Sequence, residues 1–324
     1  MYKQTKYDNP KFWVSEQIGF DNFPKPDKPY KNEGRTLASV YQTWSTEAYF
    51  PYIYYSIMSQ MLYTDIEEKA DIYLFVDEER YDFALHIFRD ILDPSCIIKL
   101  SRMMAVKYMV TCHPILHKYK AVVVVDSDMF FYADAKINFY KRIEEYYEKN
   151  DNILLIDSSV PSKEVFWSRH HDLNKNVPKE EYLDYFVRET RIDKQELETW
   201  INNTDWLVSC IFCYNPKTYI NPKYYQYAIT CAYNEFYCDE TVWMVWAKAR
   251  QVNIRSIRYE LKDTVRIWLD FMGMELEPHL KHRRGETEMY LSLVHPLSGP
   301  GRINPTCLGL LRKIESEFRA KYPQ

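Results

Sequence analysis

The sequence predicts an α/β protein built on a mostly parallel sheet, and three observations predict it. Short apolar runs rich in β-branched and aromatic residues alternate with longer segments of helical period, as βαβ units require. One run, Val122 to Val125, is continuous valine with no polar alternation, which is how a strand buried on both faces reads. That run breaks into Asp126, Ser127 and Asp128 and resumes as Met129, Phe130, Phe131 and Tyr132, so two carboxylates stand where a buried strand leaves its sheet.

Taken in order, residues 1–34 are polar and punctuated by Pro10, Pro24, Pro26 and Pro29, and read as an irregular arm over the surface. Regular structure is expected from residue 35 onward. Leu37–Trp44 reads as a first strand and Phe50–Tyr63 as a helix. Ala70–Asp77 is a second strand and Glu78–Leu92 a second helix. Cys96–Leu100 is a short third strand, and Ser101 caps a third helix reaching Tyr119. The valine strand is therefore the fourth. Beyond it, Ile137–Lys149 is an amphipathic helix and Asn152–Ser158 a strand. Pro161–Asn203 is charged and helical in pattern, an insertion covering one side of the sheet edge. Trp206–Tyr214 is a strong strand. Tyr224–Glu235 and Asp239–Arg250 are helical in pattern, Ile254–Arg258 and Val265–Leu269 are weaker strands, and Cys307–Tyr322 is a final amphipathic helix. The expected division is an arm, 1–34, followed by a catalytic domain, 35–324, with a nucleotide-binding half, 35–132, and an acceptor half, 133–324.

Composition narrows the function. A net charge of -4 leaves no basic footprint for nucleic acid and no polybasic membrane patch. No stretch reaches the roughly 18 apolar residues of a membrane span, and the N-terminus lacks a signal core. Seven cysteines without metal-ligand spacing point to a reducing compartment, and Cys210 and Cys213 lie in an apolar run where burial is expected. These features place the chain in the cytoplasm. Its abundance of Lys, Asn, Ile and Tyr with little Gly is the composition of an AT-rich genome, such as a large virus or a parasite. With only 7 glycines in 324 residues, glycine-rich phosphate loops are unavailable, so phosphate must be held by metal and side chains. Aromatic residues are plentiful, and carbohydrate sites use their faces, but most are expected in the core. Trp167, Trp200 and Trp206 are candidates for an acceptor platform.

Open α/β sheets bind ligands at the carboxyl ends of their strands, where Asp126 and Asp128 fall. Two carboxylates beside such an apolar run are costly to bury unpaired, and a divalent cation taking oxygen ligands keeps both ionised. Asp126, Ser127 and Asp128 are therefore read as a metal and phosphate site. In this position the chain resembles nucleotide-sugar glycosyltransferases of the GT-A fold, whose Rossmann-like first half ends in a DxD. The resemblance implies a mostly parallel sheet flanked by helices, with a helical insertion and a small antiparallel part. It also implies that Asp126 reaches the ribose and metal, and that Asp128 ligates Mn²⁺ or Mg²⁺ on the diphosphate. A haloacid-dehalogenase-like phosphatase also follows an apolar strand with DxD, but it does so on its first strand. A noncatalytic nucleotide-sugar-binding module is the third reading.

The tail adds to the likeness. Family 8, or glycogenin-type, glycosyltransferases end their catalytic domain with a His-x-x-Gly-x-x-Lys pattern. This chain has His295, Gly299 and Arg302, similar but with one additional residue before the glycine and Arg in place of Lys. The resemblance makes His295 a third metal ligand and Arg302 a diphosphate contact. Imidazole suits Mn²⁺, a guanidinium fork suits diphosphate oxygens, and Gly299 lets the backbone close over the phosphates. Asp239 and Glu240 open a helix, where either could face the donor sugar or, in an inverting enzyme, act as base toward the acceptor, while also capping that helix. Arg102 and Lys107 occupy the helix before the valine strand, where GT-A enzymes place a basic residue against the nucleotide. Tyr41, Gln42 and Thr43 at the end of the first strand, Asp77 at the end of the second, and Asp157 on a later strand are positional candidates for donor contacts. The expected activity is a metal-dependent transfer of a hexosyl or pentosyl group from a UDP-sugar to a hydroxyl of a glycan or glycoprotein, with retention.

Overall fold

The computed structural model describes residues 23–43, 47–101, 110–161, 179–203, 205–219, 248, 251–269, 290–295 and 305–323. Its centre is a seven-stranded sheet. The strands are β1 (Leu37–Thr43), β2 (Ala70–Asp77), β3 (Ile97–Leu100), β4 (Ala121–Val125), β6 (Ile153–Pro161), β7 (Asp205–Tyr214) and β8 (Asn253–Ser256), in the spatial order β3-β2-β1-β4-β7-β6-β8. β1 runs parallel to β2 and β4, β2 to β3, and β6 to β8; β7 is antiparallel to both its neighbours. A second sheet joins β5 (Phe130–Tyr132), β10 (Leu291–His295) and β9 (Val265–Leu269), in that order. The expected mixed α/β architecture, a mostly parallel sheet flanked by helices with a smaller sheet beside it, is the one observed.

Every residue of β1, β2 and β4 is buried, as an unalternating apolar run in a parallel sheet demands. Helix α1 (Phe50–Tyr63) connects β1 to β2 and is buried on nearly all its circumference. A helix apolar all round belongs inside the protein, and Pro51 is tolerated in its first turn, where the missing N–H has no intrahelical partner anyway. Helices α2 (Tyr81–Phe88) and α3 (Phe139–Lys149) follow β2 and β5. The first turn of α3 is capped from outside: the Asp65 carboxylate accepts from the backbone N–H groups of Tyr140 and Lys141 at 2.8 and 2.9 Å. The insertion carries α4 (Lys179–Thr190) and α5 (Lys194–Asn203), and the last helix is α6 (Pro305–Lys321). Among the described residues no helix is long and apolar enough to cross a membrane.

Four elements depart from expectation. The helix expected over Glu78–Leu92 is only α2, because Asp77 and Arg80 first form a turn. The third expected helix does not reach Tyr119. Pro114 cannot donate a helical bond and holds His113 extended, so Val110–Cys112 and Pro114–Leu116 are separate 3-10 turns; residues 102–109 lie outside the described residues. The weak strand at Ile254–Arg258 stops at Ser256 and turns into a single helical turn, Ile257–Glu260. Residues 23–34 do not merely cross the surface. Phe23 and Tyr30 are buried, Tyr30 exchanges backbone bonds with Ile91 and Asp93 at 2.8 Å each, and the Asn32 side chain pairs with the Ile72 backbone through two bonds of 2.8 Å. Cys210 and Cys213 are buried in β7 as expected, and burial pushes the Cys213 thiol well up.

Candidate functional site

The chain winds from β1 outward through β2 to β3, then crosses back to place β4 on the other side of β1. The strand order therefore reverses between β1 and β4. The crevice beyond the carboxyl ends of two such strands is where open sheets bind ligands, because the connections diverge there and leave a gap. Asp126, Ser127 and Asp128 leave β4 at that point.

The turn is fixed on several sides. The Asp126 backbone N–H donates to the Cys210 carbonyl of β7 at 2.8 Å, and the Met129 N–H closes the turn onto the Asp126 carbonyl at 3.1 Å. The buried Ser127 hydroxyl donates to the Gln42 carbonyl at 3.0 Å, bridging β4 to β1 across the crevice. From below, the Ser56 hydroxyl of α1 donates to the Met129 carbonyl, and Phe131 N–H donates to the Ser59 hydroxyl at 3.0 Å. Asp126 and Asp128 themselves are half-buried and alternate with Ser127 and Met129, which are covered.

Under the turn runs a hydrogen-bond relay that sequence reasoning missed. The Ser56 hydroxyl proton goes to Met129, so in the 2.7 Å contact between Tyr41 and Ser56 it is Tyr41 that donates. Gln60 Nε2 donates to the Tyr41 hydroxyl, and the Tyr140 hydroxyl donates to Gln60 Oε1. A signal exists in the sequence: Ser56, Ser59 and Gln60 fall at i, i+3 and i+4, one face of a helix that carries no charge.

That relay corrects the expectation for Tyr41. Its side chain is fully buried and faces α1 rather than the crevice, since alternate residues of a strand point to opposite faces. Burial pushes its phenol well above the usual value, against the hydrogen bonds to Ser56 and Gln60. Gln42 and Thr43 do reach the sheet edge but are almost covered, and the Gln42 carbonyl is taken by Ser127. Asp77 also differs from expectation. It is 2% exposed, and its carboxylate accepts from Arg80 Nη1 at 3.1 and 3.3 Å and from the Arg80 backbone N–H at 3.2 Å. Arg80, which also approaches Glu47 at 3.5 Å, is a guanidinium at this edge that the sequence pattern alone does not single out. Its one signal is the i, i+3 spacing from Asp77.

Backbone register places two further candidates. Asp157 pairs with Val208 of β7, two residues past the Cys210 that receives Asp126, so its backbone lies on the same sheet edge as the Asp126 turn. β10 runs antiparallel to β5 with Ser292 opposite Tyr132, Leu293 opposite Phe131 and Val294 opposite Phe130. Continuing that register by one residue sets His295, the last residue of β10, level with Met129, next to Asp128. Carboxylates and imidazole are ligand types that suit Mn²⁺. Among the described residues no three His, Cys, Asp or Glu side chains converge as a metal cluster. Arg102, Lys107, Asp239, Glu240, Gly299 and Arg302 lie outside the described residues, as does Trp167.

No protein-family model and no curated protein sequence matches this chain. Solved structures similar to it are glycosyltransferases. The mannosyltransferase Ktr4p of S. cerevisiae is 15% identical, covering 80% of this chain and 81% of its own, with a TM-score of 0.42. The galactosyltransferase LgtC, determined with donor and acceptor sugar analogs, is 11% identical over 89% of this chain and 96% of its own, with a TM-score of 0.44. Mouse xyloside xylosyltransferase 1 is 9% identical over 82% and 98%, with a TM-score of 0.43.

Proposed function

We propose that this chain is a metal-dependent glycosyltransferase of the GT-A type, moving the glycosyl group of a UDP-sugar to a hydroxyl of a glycan or glycoprotein acceptor. The observation that carries the reading is the Asp126-Ser127-Asp128 turn at the switch point between β1 and β4, with β10 ending beside it. A buried strand that delivers two half-buried carboxylates to this crevice, on a turn braced from β1, β7 and α1, is arranged to hold a charged ligand in fixed geometry.

Asp126, Asp128 and His295 would hold Mn²⁺ or Mg²⁺. When bound, the cation offsets the charge that develops on the leaving diphosphate. The chain's own groups do the remaining work. Asp126 also accepts from the donor ribose, and Ser127 keeps the turn against β1. Arg302 and Lys107 bind diphosphate oxygens, with Gly299 admitting the backbone close to them; Arg102 faces the nucleotide. Asp157 bonds donor hydroxyls. Asp239 or Glu240 faces the sugar, and transfer retains the anomeric configuration. The phosphatase reading is not favoured, because the Asp126 turn ends the fourth strand and not the first.

The test is hydrolysis of a broad nucleotide-sugar panel with and without Mn²⁺. Metal-dependent release of the nucleotide from at least one donor, abolished in Asp128→Ala, is expected. Turnover of an aryl phosphate in place of every nucleotide sugar would sink the proposal. A product of inverted configuration, read by NMR, would remove the retaining claim alone.

A further inference from the structure

Strands β6 and β7 continue past the point where β4 ends. Asp126 N–H is joined to Cys210, yet β7 begins at Asp205 and β6 stays paired with it through Val160 opposite Trp206 and Pro161 opposite Asp205. Asp205 to Ser209 therefore project beyond the turn on the same edge of the sheet, by roughly 17 Å at about 3.4 Å per residue. Helix α5 ends at Asn203, two residues before that strand starts, so its last turns lie at the tip of this ribbon.

There α5 borders an open cleft of about 440 Å³. Glu196, Thr199, Trp200 and Asn203 fall at i, i+3, i+4 and i+7, a single helix face, with Gln195 beside them and Lys248 across. Trp200 packs part of its ring on the core and gives the rest to the cleft, so it is held rigid. Asp193, Gln195, Glu196, Thr199 and Asn203 line the same cleft. Asn203 Nδ2 donates to the Thr199 carbonyl at 2.7 Å, which orients the amide. Glu196 and Lys248 lie 3.3 Å apart as an ion pair, and Asp193, the second acid of the lining, accepts from the Glu196 backbone N–H at 3.0 Å, so the lining carries no excess of positive charge.

We propose that this cleft binds a neutral oligosaccharide, the acceptor chain, at sugars remote from the hydroxyl that is glycosylated. A fixed indole offers an apolar face for the C–H side of a pyranose ring, while amides, a hydroxyl and a carboxylate beside it bond the ring hydroxyls. A phosphate or carboxylate ligand would meet no uncompensated cation, and an apolar ligand would find only one aromatic surface. An open cleft of about 440 Å³ admits more than one sugar ring, so the occupant is a chain rather than a monosaccharide. The assignment of that chain as acceptor rests on the transferase reading; the binding of a glycan does not.

The experiment is calorimetric titration of the full chain with soluble α-mannan, β-glucan, maltoheptaose and chitohexaose, using wild type, Trp200→Ala, Trp200→Phe and the double variant Gln195→Ala/Asn203→Ala. At least one glycan is expected to bind wild type, with longer chains tighter than their disaccharides. Trp200→Ala should weaken that binding about 10-fold or more, Trp200→Phe less, and the double variant measurably, with circular dichroism unchanged. No glycan binding by wild type, or equal affinity in all variants, overturns the proposal. Because Trp200 also touches the core, Trp200→Ala could misfold; the double variant, whose changes spare the core, then decides. Glycan binding lost in these variants while no nucleotide sugar is turned over leaves the cleft standing and fails the transferase. Nucleotide-sugar turnover with no effect on glycan affinity does the reverse.

Discussion

The two ends of the parallel sheet both carry acids, and they treat them in opposite ways. At the amino end, Asp71 of β2 is wholly buried and surrounded by donors. It accepts from the backbone N–H of Glu33 and of Gly34 at 3.0 Å each, from Arg35 Nη1 at 3.1 Å and from the Tyr119 hydroxyl at 2.6 Å. Burial by itself raises the Asp71 carboxyl, but the Tyr119 hydroxyl, the Glu33 N–H and Arg35 outweigh it and hold the group below the usual carboxylate range. At the carboxyl end, the bonds that fix the Asp126 turn run to its backbone and to Ser127, and both aspartates keep accessible surface. An acid saturated by the fold stabilises the fold. A half-buried acid on a turn braced through its backbone keeps surface that a ligand can reach.

The sharpest way to break this contrast is to remove Asp71. Asp71→Ala leaves Arg35 and Tyr119 facing an empty buried site, and is expected to lower the unfolding free energy by about 3–5 kcal/mol. A urea titration measures it. The same group sets an acid limb. Its folded-state pKa is depressed, so its stabilisation is complete above the unfolded value of about 3.9 and is lost as pH falls through the lower folded value. Asp71→Asn should flatten the stability profile below about pH 4, and a wild-type profile with no acid limb there would contradict the assignment.

At the other edge the expectation is inverted. Asp126→Asn should reduce nucleotide-sugar turnover on the order of 10²-fold or more, while the unfolding free energy falls by much less than in Asp71→Ala, because Asn keeps the size of a half-buried side chain. His295→Ala sharpens the point. Loss of Mn²⁺ affinity, read by tryptophan quenching or calorimetry in the absence of any sugar, places the imidazole with the two aspartates. Unchanged affinity removes His295 from the set.

The sequence exposes this edge because its signal is local. A valine run is buried on both faces wherever it occurs, and the acids that interrupt it must emerge at a strand end, so β4 and its turn are readable without tertiary information. The strands β2 and β9 and the whole of α1 are legible for the same reason. What cannot be read are features made by distant residues meeting or by a single residue overriding its surroundings. Asp77 has the pattern of an edge acid, and only the fold shows Arg80 turned back onto it. The arm has the composition of surface, yet Phe23 and Tyr30 find the core. The helix expected to reach Tyr119 fails because one proline overrides an otherwise helical pattern. His295 is an intermediate case, since its residue type is visible in the sequence but its level beside Asp128 comes from the β5–β10 register.

Tyr41 supplies the smallest expected effect and the finest division between the two edges. Its place at the end of β1 suggests a donor contact, yet strand alternation turns its ring into the relay from Tyr140 through Gln60 to Ser56 and the Met129 carbonyl. Tyr41→Phe deletes one hydroxyl, takes that acceptor from Gln60 Nε2, and leaves Ser56 still bonded to Met129. A neutral buried hydrogen bond of this kind is worth about 1 kcal/mol, so stability should fall by roughly that amount. If the relay only braces the turn, donor KM should be nearly unchanged and the loss should be confined to stability. A rise in donor KM with unaltered stability would return Tyr41 to the ligand side and show that the phenol leaves the core when a nucleotide sugar arrives.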